Sequence, residues 1–267
     1  MNLSGRKALL TGATGGLGRA IAQALADGGA RLMLSARSRE ALEEMAAGLP
    51  GDGHAVLPAD LAEPEAAERL AAEAVGTEIL VANAGLPAAG WLSDFTPEQV
   101  KRALRVNLEA PMLLARVLYP AMVESGGGHL VFVSSLSGKA PSPRSSIYNA
   151  TKFGLRGFAL GLRADLAPKG VGVSLVSPGF IRDAGMFADA GSKPPPGMGT
   201  GTPEQVGGGV VKAIERNKAE VTVAPLPQRV AAHFALAAPA LSVRAQTGST
   251  GQKAAQAIAD GHPSDKR

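Results

Sequence analysis

The 267-residue sequence predicts a doubly wound α/β fold, with a seven-stranded, mostly parallel sheet covered by helices on both faces. Three observations predict it. Over the first 180 residues short apolar runs alternate with longer stretches of helical period, the signature of βαβ units. The runs are continuously apolar, as strands buried on both faces are. A glycine-rich turn also joins the first run to the first helical stretch, and folds of this class bind ligands at the carboxyl ends of their strands.

Taken in order, Ala8-Leu9-Leu10 is the first strand and 17–27 the first helix. A strand over 31–35 leads to a helix over 39–48. Strands at 55–57 and 79–81 flank a helix near 64–74. One long helix is expected over 97–123. A strand at 130–133, a helix over 146–166 and a strand at 171–176 follow. The character then changes. Residues 191–202 are rich in Gly, Pro and Ser, with Pro194-Pro195-Pro196 in the middle, and read as a loop. A helix over 203–217 and a strand at 220–223 complete the sheet. The alanine-rich tail, with prolines at 225, 227 and 239, reads as short helices ending in a frayed, polar terminus. We therefore expect a catalytic domain over 1–225 that includes a substrate loop at 180–202. Residues 226–267 are expected to extend that same domain as helices.

Composition narrows the chemistry. With no cysteine, thiolate metal sites, disulfides and cysteine nucleophiles are excluded. His54, His129, His233 and His262 are far apart and lack metal-ligand spacing, so no metal is expected. The net charge is +4, acidic on balance in the first half and basic in the second. The basic residues are dispersed and aromatics make up only 4%, so no nucleic-acid partner is expected. The opening Met1-Asn2-Leu3-Ser4-Gly5-Arg6-Lys7 has no signal-peptide layout, and no run reaches the roughly 18–20 apolar residues of a membrane span. The expectation is a cytoplasmic protein.

The glycine turn reads Thr11-Gly12-Ala13-Thr14-Gly15-Gly16-Leu17-Gly18. Glycines let the main chain turn tightly and approach a pyrophosphate, and the following helix offers free N–H groups and a positive dipole end. A turn that merely needs small residues would look similar in isolation. The second strand runs on to Ser35-Ala36-Arg37, with no acid to hold a ribose 2′-hydroxyl. Arg37 is suited to grip a 2′-phosphate, which favours NADP(H) over NAD(H); a plain surface arginine is the alternative.

Tyr148-Asn149-Ala150-Thr151-Lys152 sets a phenol and an ammonium four residues apart on one helix face. A free tyrosine has a pKa near 10, and bringing it to about 7 takes roughly 4 kcal/mol of preferential phenolate stabilisation. A nearby lysine in a desolvated cleft is one source, and the phenol then serves as a general acid or base. Such a pair alone is also what packing plus a solvated charge looks like. Its neighbours add weight. Ser135 lies just past the fifth strand, at the ligand edge, where a hydroxyl can orient a substrate oxygen. Asn107 is a poor mid-helix residue, either exposed or placed to hold a water that links Lys152 to solvent.

These pieces together resemble the short-chain dehydrogenase/reductase family, of the classical single-domain type. They are Thr11-Gly12 with Gly16 and Gly18, Asp60, Asn83-Ala84-Gly85, Asn107, Ser135, Tyr148 with Lys152, and Pro178-Gly179, spread over about residues 5–185. The resemblance implies a Rossmann-like fold and a catalytic tetrad of Asn107, Ser135, Tyr148 and Lys152. It implies cofactor contacts from Gly12, Thr14, Gly15, Gly16, Leu17 and Gly18. Asp60 and Leu61 would meet the adenine, Asn83, Ala84 and Gly85 the cofactor floor, and Pro178, Gly179 and Ile181 the nicotinamide. Lys152 would bond the nicotinamide ribose, and Arg37 would match NADP-preferring members. Two residues depart from the family pattern: Ala82, where many relatives carry asparagine, and Asp183, near which relatives often supply a threonine to the cofactor amide.

The expected reaction is hydride transfer between NADP(H) and a carbonyl or secondary alcohol, with Tyr148 moving the proton. Leu86, Trp91, Leu92, Phe95, Leu136, Phe180, Met186, Phe187 and Met198 are candidates for the substrate wall and suggest a mainly apolar small molecule. In the tail, Phe234, Leu236 and Leu241 are expected to pack on the core, with extension of the pocket, cover for a partner subunit or contact with a membrane surface as alternatives. A homodimer or homotetramer built on the two long helices is implied by the resemblance. A regulatory NADP-binding protein without turnover is the rival reading, and the intact four-residue set argues against it.

Overall fold

A computed structural model describes residues 1–247 together with Gln256, Asp260 and Gly261. In chain order the elements are β1 (Lys7–Thr11), α1 (Gly16–Asp27), β2 (Arg31–Ser35), α2 (Arg39–Gly48), β3 (Ala55–Val56), α3 (Ala66–Glu73) and β4 (Ile79–Ala82). Next come α4 (Pro97–Leu104), α5 (Ala110–Glu124), β5 (Gly128–Val133), α6 (Ser146–Leu166) and β6 (Val171–Pro178). The chain continues through α7 (Met186–Asp189), α8 (Pro203–Glu215), β7 (Glu220–Val223), α9 (Leu226–Ala237) and α10 (Pro239–Gln246).

The seven strands lie in the order β3-β2-β1-β4-β5-β6-β7, and every neighbouring pair is parallel. The connections reverse direction between β1 and β4, which opens a crevice at the carboxyl ends of those two strands. Alternate strand residues feed two separate cores. Leu10, Ile79, Val81, Val131 and Val133 face α1, α2 and α8. Leu9, Leu80, Leu130 and Phe132 face α3, α5 and α6. Both faces of the central strands β1, β4, β5 and β6 are buried, which is why those strands read as unbroken apolar runs.

Two expectations change. The long helix over 97–123 is not continuous, because Arg105–Glu109 form a π-helical turn between α4 and α5. Pro111 supplies the reason: it has no N–H to give the Asn107 carbonyl four residues back. The ladder widens by one residue there, and the Ala110 N–H reaches the Arg105 carbonyl. The tail does form two short helices, separated at Pro239. Its core contacts, however, come from Ala232 and Ala235, while Phe234 and Leu241 stay 49% and 58% exposed. The small residues Ala232 and Ala235 of α9 let the helix sit close to the domain. Most of the terminus expected to fray lies outside the described residues. Among the described residues no helix is long and apolar enough to cross a membrane.

Candidate active site

The glycine turn sits in the crevice between β1 and β4. Gly12 has φ +65°, a left-handed conformation, and a Cβ there would lie 2.8 Å from Ala84 Cα. A Cβ on Gly18 would lie 2.1 Å from the Gly12 carbonyl oxygen. Both contacts are with main chain and neither can be relieved by a rotamer change. Asn83 straps the turn to β4. Its Nδ2 donates to the carbonyls of Thr11 and Gly12 at 3.1 and 3.2 Å, and the N–H groups of Asn83 and Ala84 both donate to Thr11 Oγ1 at 3.1 Å.

The start of α1 carries no side-chain cap of its own, unlike those of α2, α4 and α8. Its N-cap is Gly15, with no side-chain cap and no acid in the first turn. The helices α4 and α8 open with full capping boxes from Thr96 and Thr202, and α2 opens on the Ser38 hydroxyl. The first N–H groups of α1 are therefore left for another acceptor, and the dipole favours an anion. Arg37 lies exposed just past β2 on the rim of the same cleft. Asp60 accepts from the Ala62 N–H at 2.9 Å, which shapes the loop that follows β3. A bare helix start, a turn that admits no side chain and a rim cation together fit a phosphorylated dinucleotide.

One cavity of about 980 Å³ runs from this turn to the C-terminal helices. It is lined by every residue expected to hold cofactor: Gly12, Thr14, Gly15, Gly16, Leu17, Gly18, Arg37, Asp60, Leu61, Asn83, Ala84, Gly85, Pro178, Gly179 and Ile181, with Tyr148 and Lys152. Ser135 lines it too, close enough to the Tyr148 phenol to favour its ionised form. The Lys152 ammonium lies 5.6 Å from the Tyr148 ring centroid and donates to the Val133 carbonyl at 3.1 Å.

Asn107 stands behind the cavity wall and is 1% exposed, so the exposed alternative does not hold. Its amide pairs with one residue twice: Oδ1 accepts from the Leu86 N–H at 2.7 Å and Nδ2 donates to the Leu86 carbonyl at 3.0 Å. The π turn is what carries this side chain toward the cleft. A Cβ on Gly85 would sit 3.4 Å from Asn107 Oδ1 and 3.8 Å from Lys152 Nζ. Gly85 therefore lies between the amide and the ammonium.

Electrostatics depart from the sequence expectation. Burial pushes the Tyr148 phenol up to about 12, opposed only by the nearby Ser135 side chain. Burial also pushes the Lys152 ammonium down, to about 8. Desolvation disfavours both charged forms, and at 5.6 Å from the ring the lysine does not reverse it.

The substrate side is partly as expected. Leu86, Leu136, Phe180, Met186, Phe187 and Met198 line the cavity. Trp91 and Leu92 do not. They are 55% and 63% exposed, and the Arg144 guanidinium stacks 4.5 Å from the Trp91 ring centroid. Phe95 packs instead with Ala88, Ala103 and Ile147. Asp183 pairs with Arg182 at 3.2 Å and faces solvent.

Sequence reasoning missed two groups. Gln228, Ala231 and Ser242 bring the C-terminal helices into the cavity wall, beside Phe234, for which extension of the pocket is one alternative in the sequence. Lys139, 3% exposed and four residues past Ser135, pairs with Glu220 at 3.0 Å and Thr222 at 2.9 Å. Glu220 also takes Arg156 of α6 and Ser177 of β6, each at 3.3 Å. One carboxylate thereby joins the Ser135 loop, the Tyr148 helix and the strand that ends at Pro178. The only sequence signal for it was a lone lysine in a loop of small and apolar residues.

Comparison with known proteins agrees with the geometry. The family model described as short chain dehydrogenase matches residues 6–194. The chain is 35% identical over 227 residues to the ketoacyl reductase HetN of Nostoc sp., covering 83% of this chain and 79% of that protein. It is 37% identical over 187 residues to human dehydrogenase/reductase SDR family member 4, covering 67% of each. A short-chain dehydrogenase from Streptomyces avermitilis superposes with a TM-score of 0.76 at 26% identity, over 91% of this chain and 94% of that one. A short-chain dehydrogenase from Sphingobium yanoikuyae, solved in complex with NADPH, superposes with a TM-score of 0.75 at 27% identity, over 91% and 96%. The chain belongs to the short-chain dehydrogenase/reductase family, NAD(P)-dependent oxidoreductases built on a Rossmann domain.

Proposed function

We propose that this protein uses NADP(H) to interconvert a carbonyl and a secondary alcohol on a mainly apolar small molecule. The observation that carries the reading is that Tyr148, Ser135 and Lys152 lie together on the wall of the cavity that begins at the glycine turn. The bound dinucleotide supplies or accepts the hydride. Gly12 through Gly18 and the start of α1 hold its phosphates, Asp60 and Leu61 the adenine end, and Pro178, Gly179 and Ile181 the nicotinamide end. Arg37 selects the 2′-phosphate, and NADPH in the Sphingobium relative supports that choice.

Ser135 orients the substrate oxygen beside the Tyr148 hydroxyl. In reduction Tyr148 gives its proton to that oxygen as the carbon is reduced, and the phenolate recovers one through Lys152 and the path beside Asn107. A phenol held near 12 keeps its proton until it is used. To act as a base near neutrality it needs roughly 7 kcal/mol of phenolate stabilisation. Residues 1–225 form the catalytic unit in this reading, and 226–267 extend it. Met112 and Phe153, on α5 and α6, keep 37% and 38% exposure, which suits a homodimer or homotetramer joined through those helices.

The test is NADPH consumption against a panel of ketones, aldehydes and keto-acyl esters of graded length. Turnover of the apolar members is expected. NADPH binding with no consumption across the panel would favour a sensor.

A further inference from the structure

The segment after β6 leaves the sheet at Gly179 and returns at the start of α8. It carries Phe180, Met186, Phe187 and Met198 into the cavity. Its two feet meet. The Gly201 N–H donates to the Phe180 carbonyl at 2.8 Å, and the Arg182 N–H to the Gly201 carbonyl at 3.0 Å. Between the feet, secondary structure is limited to the four residues of α7. A chain of this length with so few internal bonds needs an outside anchor to hold one shape.

That anchor comes from α9. Gln228 is 4% exposed, and its amide reaches both feet. Oε1 accepts from the Phe180 N–H at 3.0 Å. Nε2 donates to the Met198 carbonyl at 3.2 Å and the Gly199 carbonyl at 2.8 Å. A primary amide suits the place because it offers an acceptor at one end and two donors at the other. Gly179 makes room, since a Cβ there would lie 2.0 Å from Oε1. The hold is passed inward, because the Phe180 ring packs 4.7 Å from the Phe187 ring of α7.

We propose that Gln228 is a positioning residue that clasps both feet of the 180–199 segment, so that the C-terminal helix fixes the substrate wall. The inference rests on the oxidoreductase reading only for its effect on substrate. It assigns a task to the tail: the wall is set from outside the sheet, through one buried amide, and not by the segment alone.

The decisive variant is Gln228→Glu, which keeps the side chain's shape and puts a carboxylate oxygen where the amide donated to two carbonyls. Hydrogen exchange of the 180–199 amides, read by mass spectrometry, is expected to quicken at least tenfold, with the strands unchanged. KM for a carbonyl substrate is expected to rise about tenfold with kcat within threefold. Gln228→Asn, which keeps the amide on a shorter arm, should recover part of the exchange protection. Unchanged exchange over 180–199 in Gln228→Glu would overturn the clasp. If that variant does not fold, the wild-type chain decides. The Phe180 amide should exchange far more slowly than that of Asp183, and equal rates would overturn the proposal. Exchange needs no turnover, so a wild-type chain that consumed no NADPH would refute the reaction and leave the clasp standing.

Discussion

The glycine-turn side of the cleft, which we propose holds the cofactor, is made of main chain, and the opposite side, proposed for the substrate, is made of side chains. At Gly12 and Gly18 the backbone approaches so closely that no Cβ fits, and Asn83 serves by bonding carbonyls rather than by meeting solvent. Across the cavity the wall is Phe180, Phe187, Met186 and Met198, held on a long segment and a C-terminal helix. On the proposed function, the contrast follows from what each side would recognise. A pyrophosphate presents the same charged atoms to every member of a family, and backbone N–H groups meet it at fixed distances. An apolar substrate is met by area and shape, which side chains can alter without disturbing the sheet.

Substitutions on the two sides should therefore differ in kind. Gly18→Ala places a methyl group against a carbonyl oxygen that cannot move aside. NADPH affinity is expected to fall more than 100-fold, measured by nicotinamide fluorescence, and affinity within fivefold of wild type would break the contrast. Arg37→Asp acts on a side chain at the far end of the same wall. A charge-assisted contact is worth about 1.5–3 kcal/mol, so the NADPH-over-NADH preference in kcat/KM should fall about 10- to 100-fold. An unaltered ratio would remove the 2′-phosphate assignment. Lys152, which burial holds at about 8, gives a pH signature. Its charged form prevails below that value, so kcat/KM for reduction should be level below about pH 8 and decline toward tenfold per pH unit above it. A flat profile to pH 10 would remove the ammonium from the mechanism. The smallest effect belongs to the substrate wall. Met198→Ala, at a half-buried position, should change KM a few-fold and leave NADPH affinity and melting temperature near wild type.

The two sides were also unequally legible. The seven strands, the first helix and the glycine turn were readable because their signals are local: apolar period, glycine spacing and a phenol one helical turn from a lysine. Tyr148, Ser135 and Lys152 came together as their order along the strands and helix implied. The break at Asn107 was also written locally, in Pro111 four residues on, and a check of the i→i−4 ladder would have found it. Gln228 and Glu220 were not legible. Each acts on groups tens of residues away, and a glutamine in an alanine-rich helix carries no mark of its partners. Trp91 and Leu92 were misplaced for a related reason: large apolar residues in a loop near the site look alike whether they face the cavity or solvent.

Everything proposed about the chemistry depends on the Tyr148 hydroxyl transferring a proton, and Tyr148→Phe tests that most directly because it removes the oxygen and keeps the ring. With a carbonyl substrate found in the wild-type screen, kcat is expected to fall about 10²- to 10⁴-fold while NADPH still binds with near wild-type affinity. Turnover within tenfold of wild type would show that the proton comes from another group.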